Sequence, residues 1–256
     1  MDNTQSSGKI SSGIPGLDDM TGGGMYPGTV NVLIGEPGTG RTIFGFQFLH
    51  KGLEHGLNGM FISLNHTKEY MLDKYLARYP GDKEYINKKI YFVHLMPENL
   101  MTLSDAFGFE MTEVIRELNL GRIVVDPFSA VEDHLISEGS LPDSADLFRV
   151  FSSFREGDAT TIFITRSDPN KPIRSYYGFA ELFADDVAAL FRKFPDNDYL
   201  KPYYQLFLLV KQRGEILETA RVVKYNENGE FALITIKDAI AHKIVEEKLA
   251  DEIKSL

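Results

Sequence analysis

The segment GEPGTGRT, residues 35–42, has the spacing of a loop that binds the phosphates of a nucleotide. In such loops, glycines let backbone N–H groups point at the phosphates, and the helix that follows adds the positive end of its dipole. We therefore predict nucleotide contacts from this loop and from the residue after it: Gly35, Glu36, Pro37, Gly38, Thr39, Gly40, Arg41, Thr42 and Ile43.

Two oxygen-bearing side chains are placed to hold a magnesium ion beside this loop. Thr42 follows the glycines, where a hydroxyl can ligate Mg²⁺, and Asp126 ends the apolar segment RIVVD. A glycine-rich segment alone is a weak signal, because an ordinary turn has the same composition. The strand-like run before the loop, the helix-like run after it, Thr42 and Asp126 together favour a site for ATP and Mg²⁺.

The loop departs from the pattern G-x-x-x-x-G-K-[ST] at Arg41, which occupies the lysine position. Lysine places a compact charge between the β- and γ-phosphates, whereas the guanidinium of arginine is planar and bulkier. Because backbone N–H groups supply most of the grip, we expect ATP binding to survive this change. Hydrolysis depends on charge placed at the transition state, so we expect it to be slow or absent.

Composition excludes several classes of function. The 256 residues contain no cysteine, which rules out disulfides and thiolate metal sites, and the six histidines form no ligand pattern. The net charge of −10 argues against general nucleic-acid binding, since such proteins present a basic face. The N-terminus lacks the apolar core of a secretory signal, and no apolar run reaches about 20 residues. We expect a cytoplasmic protein without membrane contact.

Strand-like and helix-like segments alternate along most of the chain. The apolar runs TVNVLIG, NGMFISLN, KKIYFVHL, RIVVDPFSAV and ATTIFITRSD are each followed by a helix-like or turn-like segment. This order predicts an α/β fold with a mostly parallel central sheet and helices on both faces. Later strand-like segments, with a hairpin signal at NENG (226–229), predict an antiparallel C-terminal extension. We expect one domain over residues 1–256, with residues 1–9 flexible.

The C-terminal segment 238–256 has the pattern of an amphipathic helix. Ile240, Ile244, Leu249 and Ile253 lie near one face, and charged residues occupy the remainder. Packing on its own domain is the simpler interpretation of this face. The alternative is that the helix docks on a neighbouring subunit or on another protein.

Several segments of the chain resemble the KaiC-like branch of the RecA superfamily of P-loop ATPases, which includes archaeal RadA paralogues. The likeness begins with SSGIPGLDDMTGGGMYPGTVNVLIGEPGTGRTIF and continues through GMFISLNHTKEYM, RIVVDPFSAV, TIFITRSD, FADDVAAL and LVKQRGE. It implies an ATP-binding domain that assembles into a homo-oligomeric ring or filament, with nucleotide at the subunit interface. It also implies that Lys211 and Arg213 of KQRG reach the γ-phosphate bound by the next subunit, as an arginine finger does.

The chain departs from the family where hydrolysis is carried out. Active relatives have a pair of glutamates after the second strand, whereas this sequence has Asn65 and His66. Asparagine is no base, and His66 is at most a weak one with a different reach. Glu69 lies a helical turn further on and is expected to be solvated. Arg166 stands where relatives place small polar residues. These changes favour a nucleotide-dependent regulatory or assembly protein.

Two other functions remain open at this stage. The first is a slow RecA-type ATPase of DNA recombination or repair, since PNKPIRSYYGF (169–179) combines basic and aromatic residues in a region where recombinases meet single-stranded DNA. We do not expect nucleic-acid binding, given the acidic balance of the chain. The second is an oligomeric scaffold that has lost nucleotide binding altogether.

Overall fold

The computed structural model describes residues 8–105, 109–139, 144–194, 203–213 and 215–245. Ten strands are found in this part of the chain. They are β1 (Val30–Gly35), β2 (Asn58–Ser63), β3 (Ile90–His94), β4 (Leu120–Asp126), β5 (Thr160–Asp168), β6 (Lys171–Ser175), β7 (Asp186–Lys193), β8 (Tyr204–Gln212), β9 (Glu215–Tyr225) and β10 (Phe231–Ile234).

The helices alternate with the first strands and then become short. They are α1 (Leu17–Met20), α2 (Arg41–Glu54), α3 (Lys68–Arg78), α4 (Pro97–Asp105), α5 (Phe109–Glu117), α6 (Ser129–Ser137), α7 (Ser144–Glu156), α8 (Ala180–Phe183) and α9 (Ile236–Ala241), with a 3₁₀ helix at Pro80–Tyr85. None of the helices in the described ranges is long and apolar enough to cross a membrane.

The strands form one sheet in the order β10-β9-β8-β7-β1-β5-β4-β2-β3, and β6 pairs with β5 outside this path. The strands from β7 to β3 in this order are parallel, whereas β8, β9 and β10 are antiparallel to their neighbours. All six residues of β1 are buried, as expected for a parallel strand covered on both faces. The predicted α/β fold with an antiparallel C-terminal extension is confirmed.

Helices cover both faces of the sheet and create two hydrophobic clusters. One cluster joins the sheet to α4, α5, α6 and α7 through residues such as Phe128, Phe151 and Phe154. The other joins it to α2 and α3 through aromatic side chains such as Phe46 and Tyr75. Because β1 contributes to both clusters, the loop that follows it starts from a rigid position.

The structure of three segments bears on the sequence-based expectations. The supposed loop at 169–179 contains β6, which folds back on β5 with Ser167 opposite Ser175. The segment after β3 contains α4 and α5, and residues 106–108 between them lie outside the described ranges. The hairpin expected at NENG is confirmed, since β9 and β10 pair with Tyr225 opposite Phe231.

Only residues 238–245 of the predicted C-terminal helix 238–256 lie within the described ranges. The Thr235 side chain caps α9 by accepting a hydrogen bond from the backbone N–H of Asp238, so the helix begins early. It ends at Ala241, and the chain turns at Lys243, whose φ is 56°. The prediction of a continuous helix is therefore wrong over 242–245. Val245 is buried against the domain. Residues 246–256, with the predicted docking face, and residues 1–7 of the expected flexible N-terminus lie outside the described ranges.

A buried arginine attaches the N-terminal segment to the sheet. Arg122, on β4, is 1% exposed, and its guanidinium lies 4.5 Å from the centre of the Phe48 ring. It donates hydrogen bonds to the carbonyl oxygens of Ser11, Ser12 and Phe48. Burial lowers the pKa of Arg122 to about 10, partly opposed by the carboxylate of Asp18. This cation thus connects β4, α2 and the chain before α1.

A buried carboxyl group lies behind β5, close to the phosphate loop. Glu132, on α6, is fully buried, and its Oε2 accepts a hydrogen bond of 3.2 Å from the Thr165 hydroxyl. Burial raises the pKa of Glu132 to about 7, and the nearby carboxylates of Glu181 and Asp133 raise it further, against the lowering effect of Thr165. Folding therefore favours the protonated form of Glu132.

We predict that Arg122→Met lowers the free energy of unfolding by about 2–4 kcal/mol, because three carbonyl oxygens lose a buried donor. Urea denaturation measures this change. Arg116→Met is the matched control, since Arg116 is exposed on α5. Equal stabilities of the two variants would contradict the anchoring role of Arg122.

We predict that Glu132→Gln removes part of the pH dependence of stability. The raised pKa means that the wild type loses stability as the pH rises from the unfolded value of Glu towards about 7, while the neutral glutamine does not. Between about pH 5 and about pH 8, Glu132→Gln should gain about 2 kcal/mol relative to the wild type. Urea denaturation across this range tests the prediction, with exposed Glu113→Gln as the control. A constant difference between wild type and Glu132→Gln would contradict it.

Candidate nucleotide-binding site

The predicted phosphate loop lies at the carboxyl edge of the parallel strands, between the last residue of β1 and the first residue of α2. Gly38 and Gly40 have φ values of 80° and 77°, which favour glycine. A Cβ at Gly38 would meet no atom within 4 Å, so the loop is open at this point. A Cβ at Gly40 would lie 2.8 Å from the Tyr225 hydroxyl, so this glycine is required by close packing.

The N-terminus of α2 fits an anion. Gly40 provides no side-chain cap, and the first turn of the helix contains no acidic residue. The first N–H groups of a helix have no intrahelical acceptor, and the helix dipole favours negative charge there. The loop therefore presents backbone donors of the kind that bind phosphate oxygens.

The two predicted magnesium ligands are in direct contact. The Thr42 hydroxyl donates a hydrogen bond of 2.6 Å to Oδ2 of Asp126, at the end of β4. Burial raises the pKa of Asp126, and the hydrogen bond from Thr42 and the charge of Arg41 act against this. No group of three or more metal-binding side chains occurs within the described ranges. One hydroxyl and one carboxylate beside a phosphate loop fit Mg²⁺, which is held by few protein ligands together with phosphate oxygens.

The Arg41 side chain crosses Gly35 and ends at β5. Its Nη1 donates a hydrogen bond of 2.7 Å to the backbone oxygen of Thr165, on β5. A Cβ at Gly35 would lie 2.8 Å from Cδ of Arg41, so the aliphatic part of the side chain passes directly over Gly35. Burial lowers the pKa of Arg41, and the charge of Asp126 counteracts this effect.

Strands β7 and β8 hold the other side of the loop. Arg192, on β7, forms an ion pair of 3.1 Å with Glu36 and donates to the Pro37 oxygen at 2.8 Å. Gln205, on β8, donates to the Thr39 oxygen at 2.6 Å. The sequence motif of the loop gives no sign of Arg192 and Gln205. These two residues lie beside the loop because β7 is next to β1 in the sheet and β8 is next to β7.

The residues that replace the catalytic glutamates lie on the surface. Asn65 and His66 follow β2 and are exposed, as is Glu69 in the first turn of α3. The His66 backbone N–H bonds the Ser63 hydroxyl at 3.0 Å, and its ring lies 4.8 Å from that of Tyr70. His66 is near enough to Asp126 to lower the pKa of that carboxyl group.

Arg166 is committed to an ion pair. Its two terminal nitrogens donate to the carboxylate of Asp133 at 2.7 and 3.1 Å, and Nη2 also contacts the Tyr177 hydroxyl at 3.1 Å. The guanidinium stacks on Tyr176, 4.2 Å from the ring centre. The carboxylate of Asp133 therefore compensates the positive charge of this arginine.

Lys211 and Arg213 lie at the end of β8 that is farther from the phosphate loop. Strand β8 is antiparallel to β7, so Gln212 pairs with Asp186 at the start of β7. The Lys211 ammonium donates to the Ala184 oxygen at 2.7 Å, and the Arg213 guanidinium lies 3.5 Å from the centre of the Tyr26 ring. Lys211 is six positions after Gln205 along β8, which corresponds to a distance of about 20 Å. Neither basic side chain can reach the loop of its own chain.

A cavity of about 360 Å³ begins beside the loop and continues along α3. Its lining is mostly apolar near α2, and basic side chains stand along α3. The residues are Thr42, Ile43, Phe46, His66, Tyr70, Met71, Lys74, Ala77 and Arg78. Such a composition and size suit a small organic group joined to the phosphates.

Comparisons with known proteins agree with this geometry. A family profile described as "ATPase: KaiC" matches residues 10–225. Among curated proteins, circadian clock protein KaiC3 of Synechocystis sp. is 29% identical over 188 residues, which are 70% of this chain and 37% of that protein. A UPF0273 protein of Pyrococcus horikoshii is 32% identical over 142 residues, which are 46% of this chain and 53% of that protein. The chain thus aligns with only about half or less of the length of these relatives.

A solved structure shows the same fold. The KaiC-like protein of the hyperthermophilic archaeon Pyrococcus horikoshii OT3 superimposes with a TM-score of 0.69 and 24% sequence identity. The match covers 88% of this chain and 98% of that protein. Because the family profile extends over most of the chain, from before α1 to the end of β9, the protein belongs to the KaiC family of RecA-like P-loop ATPases.

Proposed function

We propose that this protein binds Mg-ATP at the loop 35–42, hydrolyses it slowly or not at all, and uses the nucleotide to control its own assembly or its binding to another protein. The observation that carries the proposal is the contact between Thr42 and Asp126 beside the uncapped start of α2. A scaffold that no longer bound nucleotide would have no need of this arrangement.

The cavity along α3 supports a nucleotide as the ligand. It opens at Thr42 and Ile43, immediately after the phosphate-binding turn, so a base and ribose joined to the phosphates can occupy it. Tyr70 provides an aromatic side chain in the lining, and the Lys74 ammonium lies 4.9 Å from the centre of its ring. ATP brings the phosphates, and the loop and the first turn of α2 would hold them.

Slow hydrolysis follows from the groups that surround this position. A general base must lie within hydrogen-bond reach of the attacking water. Asn65 cannot act as a base, and His66 is exposed and rests beside Tyr70. Arg41 is bonded to the backbone of β5. His66 thus remains a weak candidate base, and the chain supplies no strong one from this strand end.

The position of Lys211 and Arg213 supports assembly with nucleotide at the interface. These side chains cannot reach the loop of their own chain, since the length of β8 lies between them and Gln205. In a ring or filament they would meet the loop of the next subunit. Their bonds to Ala184 and Tyr26 would be exchanged for contacts with the γ-phosphate.

A DNA-directed ATPase is the second candidate function. The charges around the β5–β6 hairpin do not favour it. Tyr176 is exposed, and Lys171 and Arg174 lie on the surface of β6, as a single-strand contact would require. However, Tyr176 stacks on Arg166, whose charge is compensated by Asp133. The net charge of −10 also opposes association with a polyanion.

We predict that Thr42→Val weakens Mg-ATP binding by at least about tenfold, because one hydroxyl ligand of the ion is removed. Calorimetric titration with and without Mg²⁺ measures this, and in the absence of Mg²⁺ the variant should bind ATP like the wild type. Thr102→Val, on the surface of α4, is the control. Failure of the wild type to bind ATP would reject the proposal, and rapid turnover abolished by Arg41→Ala would reject its slow-hydrolysis part.

We predict that Mg-ATP increases the sedimentation coefficient of the wild type but not that of the double variant Lys211→Met/Arg213→Met. The variant lacks the cations that would bind the neighbouring nucleotide, while its own loop is unchanged. Sedimentation velocity with and without nucleotide measures the effect. Lys224→Met, exposed on β9, serves as the control. The same nucleotide-dependent increase in both proteins would show that Lys211 and Arg213 do not contribute to the interface.

A further inference from the structure

We infer that Arg41 makes the site of a single chain unable to distinguish ATP from ADP, so that the γ-phosphate is recognised only by a neighbouring subunit. The inference rests on the proposed nucleotide binding and specifies which phosphates the chain reads by itself. Arg41 is assigned as a specificity-determining residue, because its guanidinium is occupied with the protein's own backbone.

The Arg41 side chain is held along its whole length. The stem passes over Gly35, where only glycine leaves room, since a Cβ there would lie 2.8 Å from Cδ. The guanidinium bonds the Thr165 oxygen at 2.7 Å and is attracted by the carboxylate of Asp126. Reaching a γ-phosphate would break this bond and leave a carbonyl oxygen without its donor.

Thr165 is itself fixed, which makes the bond to Arg41 a rigid one. It is fully buried on β5, opposite Ile34 of β1 in the register of the sheet. Its hydroxyl bonds the buried carboxyl group of Glu132 at 3.2 Å. The backbone oxygen that accepts from Arg41 is thus part of the core and cannot follow the guanidinium towards a ligand.

Two other arginines at this edge of the sheet are also paired. Arg166 forms two hydrogen bonds with Asp133, and Arg192 forms an ion pair with Glu36 and a hydrogen bond with the Pro37 oxygen. Each has a carboxylate partner of its own, so releasing either one to a phosphate would leave that carboxylate uncompensated.

The backbone N–H donors of the loop and of α2 would bind ADP and ATP equally well. The N–H groups of the loop and of the first turn of α2 would surround the α- and β-phosphates, which ADP and ATP share. A lysine at position 41 would add a compact charge that reaches the β- and γ-phosphates, whereas the bound arginine does not. Discrimination of the triphosphate is then left to Lys211 and Arg213 of another subunit, and it appears only on assembly.

The test is a calorimetric comparison of Mg-ADP with a non-hydrolysable Mg-ATP analogue. The proteins are Lys211→Met/Arg213→Met, in which no neighbouring chain supplies these cations, and the same double variant carrying Arg41→Met or Arg41→Lys. We expect dissociation constants for the two nucleotides that agree within about threefold with arginine or methionine at position 41. With lysine, the ATP analogue should bind about tenfold more tightly than ADP.

Two results would overturn the inference. One is a preference for the ATP analogue of about tenfold or more in the Arg41 protein that Arg41→Met removes, since Arg41 would then be a γ-phosphate ligand. The other is the absence of any gain with Arg41→Lys, since position 41 would then not determine specificity. Arg116→Met in the same background controls for loss of a surface charge, and thermal unfolding checks that each variant is folded. Binding of neither nucleotide would instead reject the proposed function and, with it, this inference.

Discussion

The site depends on two adjacent residues at the start of α2 that bridge from the phosphate loop across the sheet. In the strand order, β5 lies between β1 and β4. Arg41 bonds the backbone of β5, and Thr42 bonds Asp126 at the end of β4. The loop, three neighbouring strands and the first turn of α2 are thereby fixed in one arrangement. The proposed phosphate binding depends on this arrangement, because it sets the position of the N–H groups at the start of α2.

Strand β8 connects the same loop to the residues proposed to contact a neighbouring subunit. Gln205, near the beginning of β8, holds the Thr39 oxygen, and Lys211 and Arg213 stand at the other end of this strand. One strand therefore supports the chain's own site and carries the groups that would complete a neighbour's site. Because β8 pairs with β7 and β9 along its length, movement at the loop would be transmitted to Lys211 through a paired strand. In the proposed assembly, this arrangement would couple nucleotide binding to contact between subunits.

The fold class and the position of the loop and of Asp126 at strand ends could be predicted from the sequence, because these depend on strand–helix alternation and on a local motif. The sequence did not predict that Arg192 and Gln205 hold the loop, since these contacts depend on the order of strands far apart in the chain. The direction of the Arg41 side chain could not be predicted from the sequence either. Its hydrogen-bond acceptor is a backbone oxygen of Thr165, on a strand distant in the chain. The sequence also did not predict that α9 ends at Ala241, before the left-handed residue Lys243, because hydrophobic periodicity does not reveal such a turn.

We propose that the loop 35–42 of this KaiC-family protein binds phosphates while Arg41 stays bonded to the protein's own backbone. A crystal structure of the full chain with Mg²⁺ and a non-hydrolysable ATP analogue tests this most directly. We expect phosphates enclosed by the loop 35–42 and Arg41 still within hydrogen-bond distance of the Thr165 oxygen. A guanidinium that has moved onto the β- or γ-phosphate, or a saturating nucleotide that does not enter the loop, would contradict the proposal.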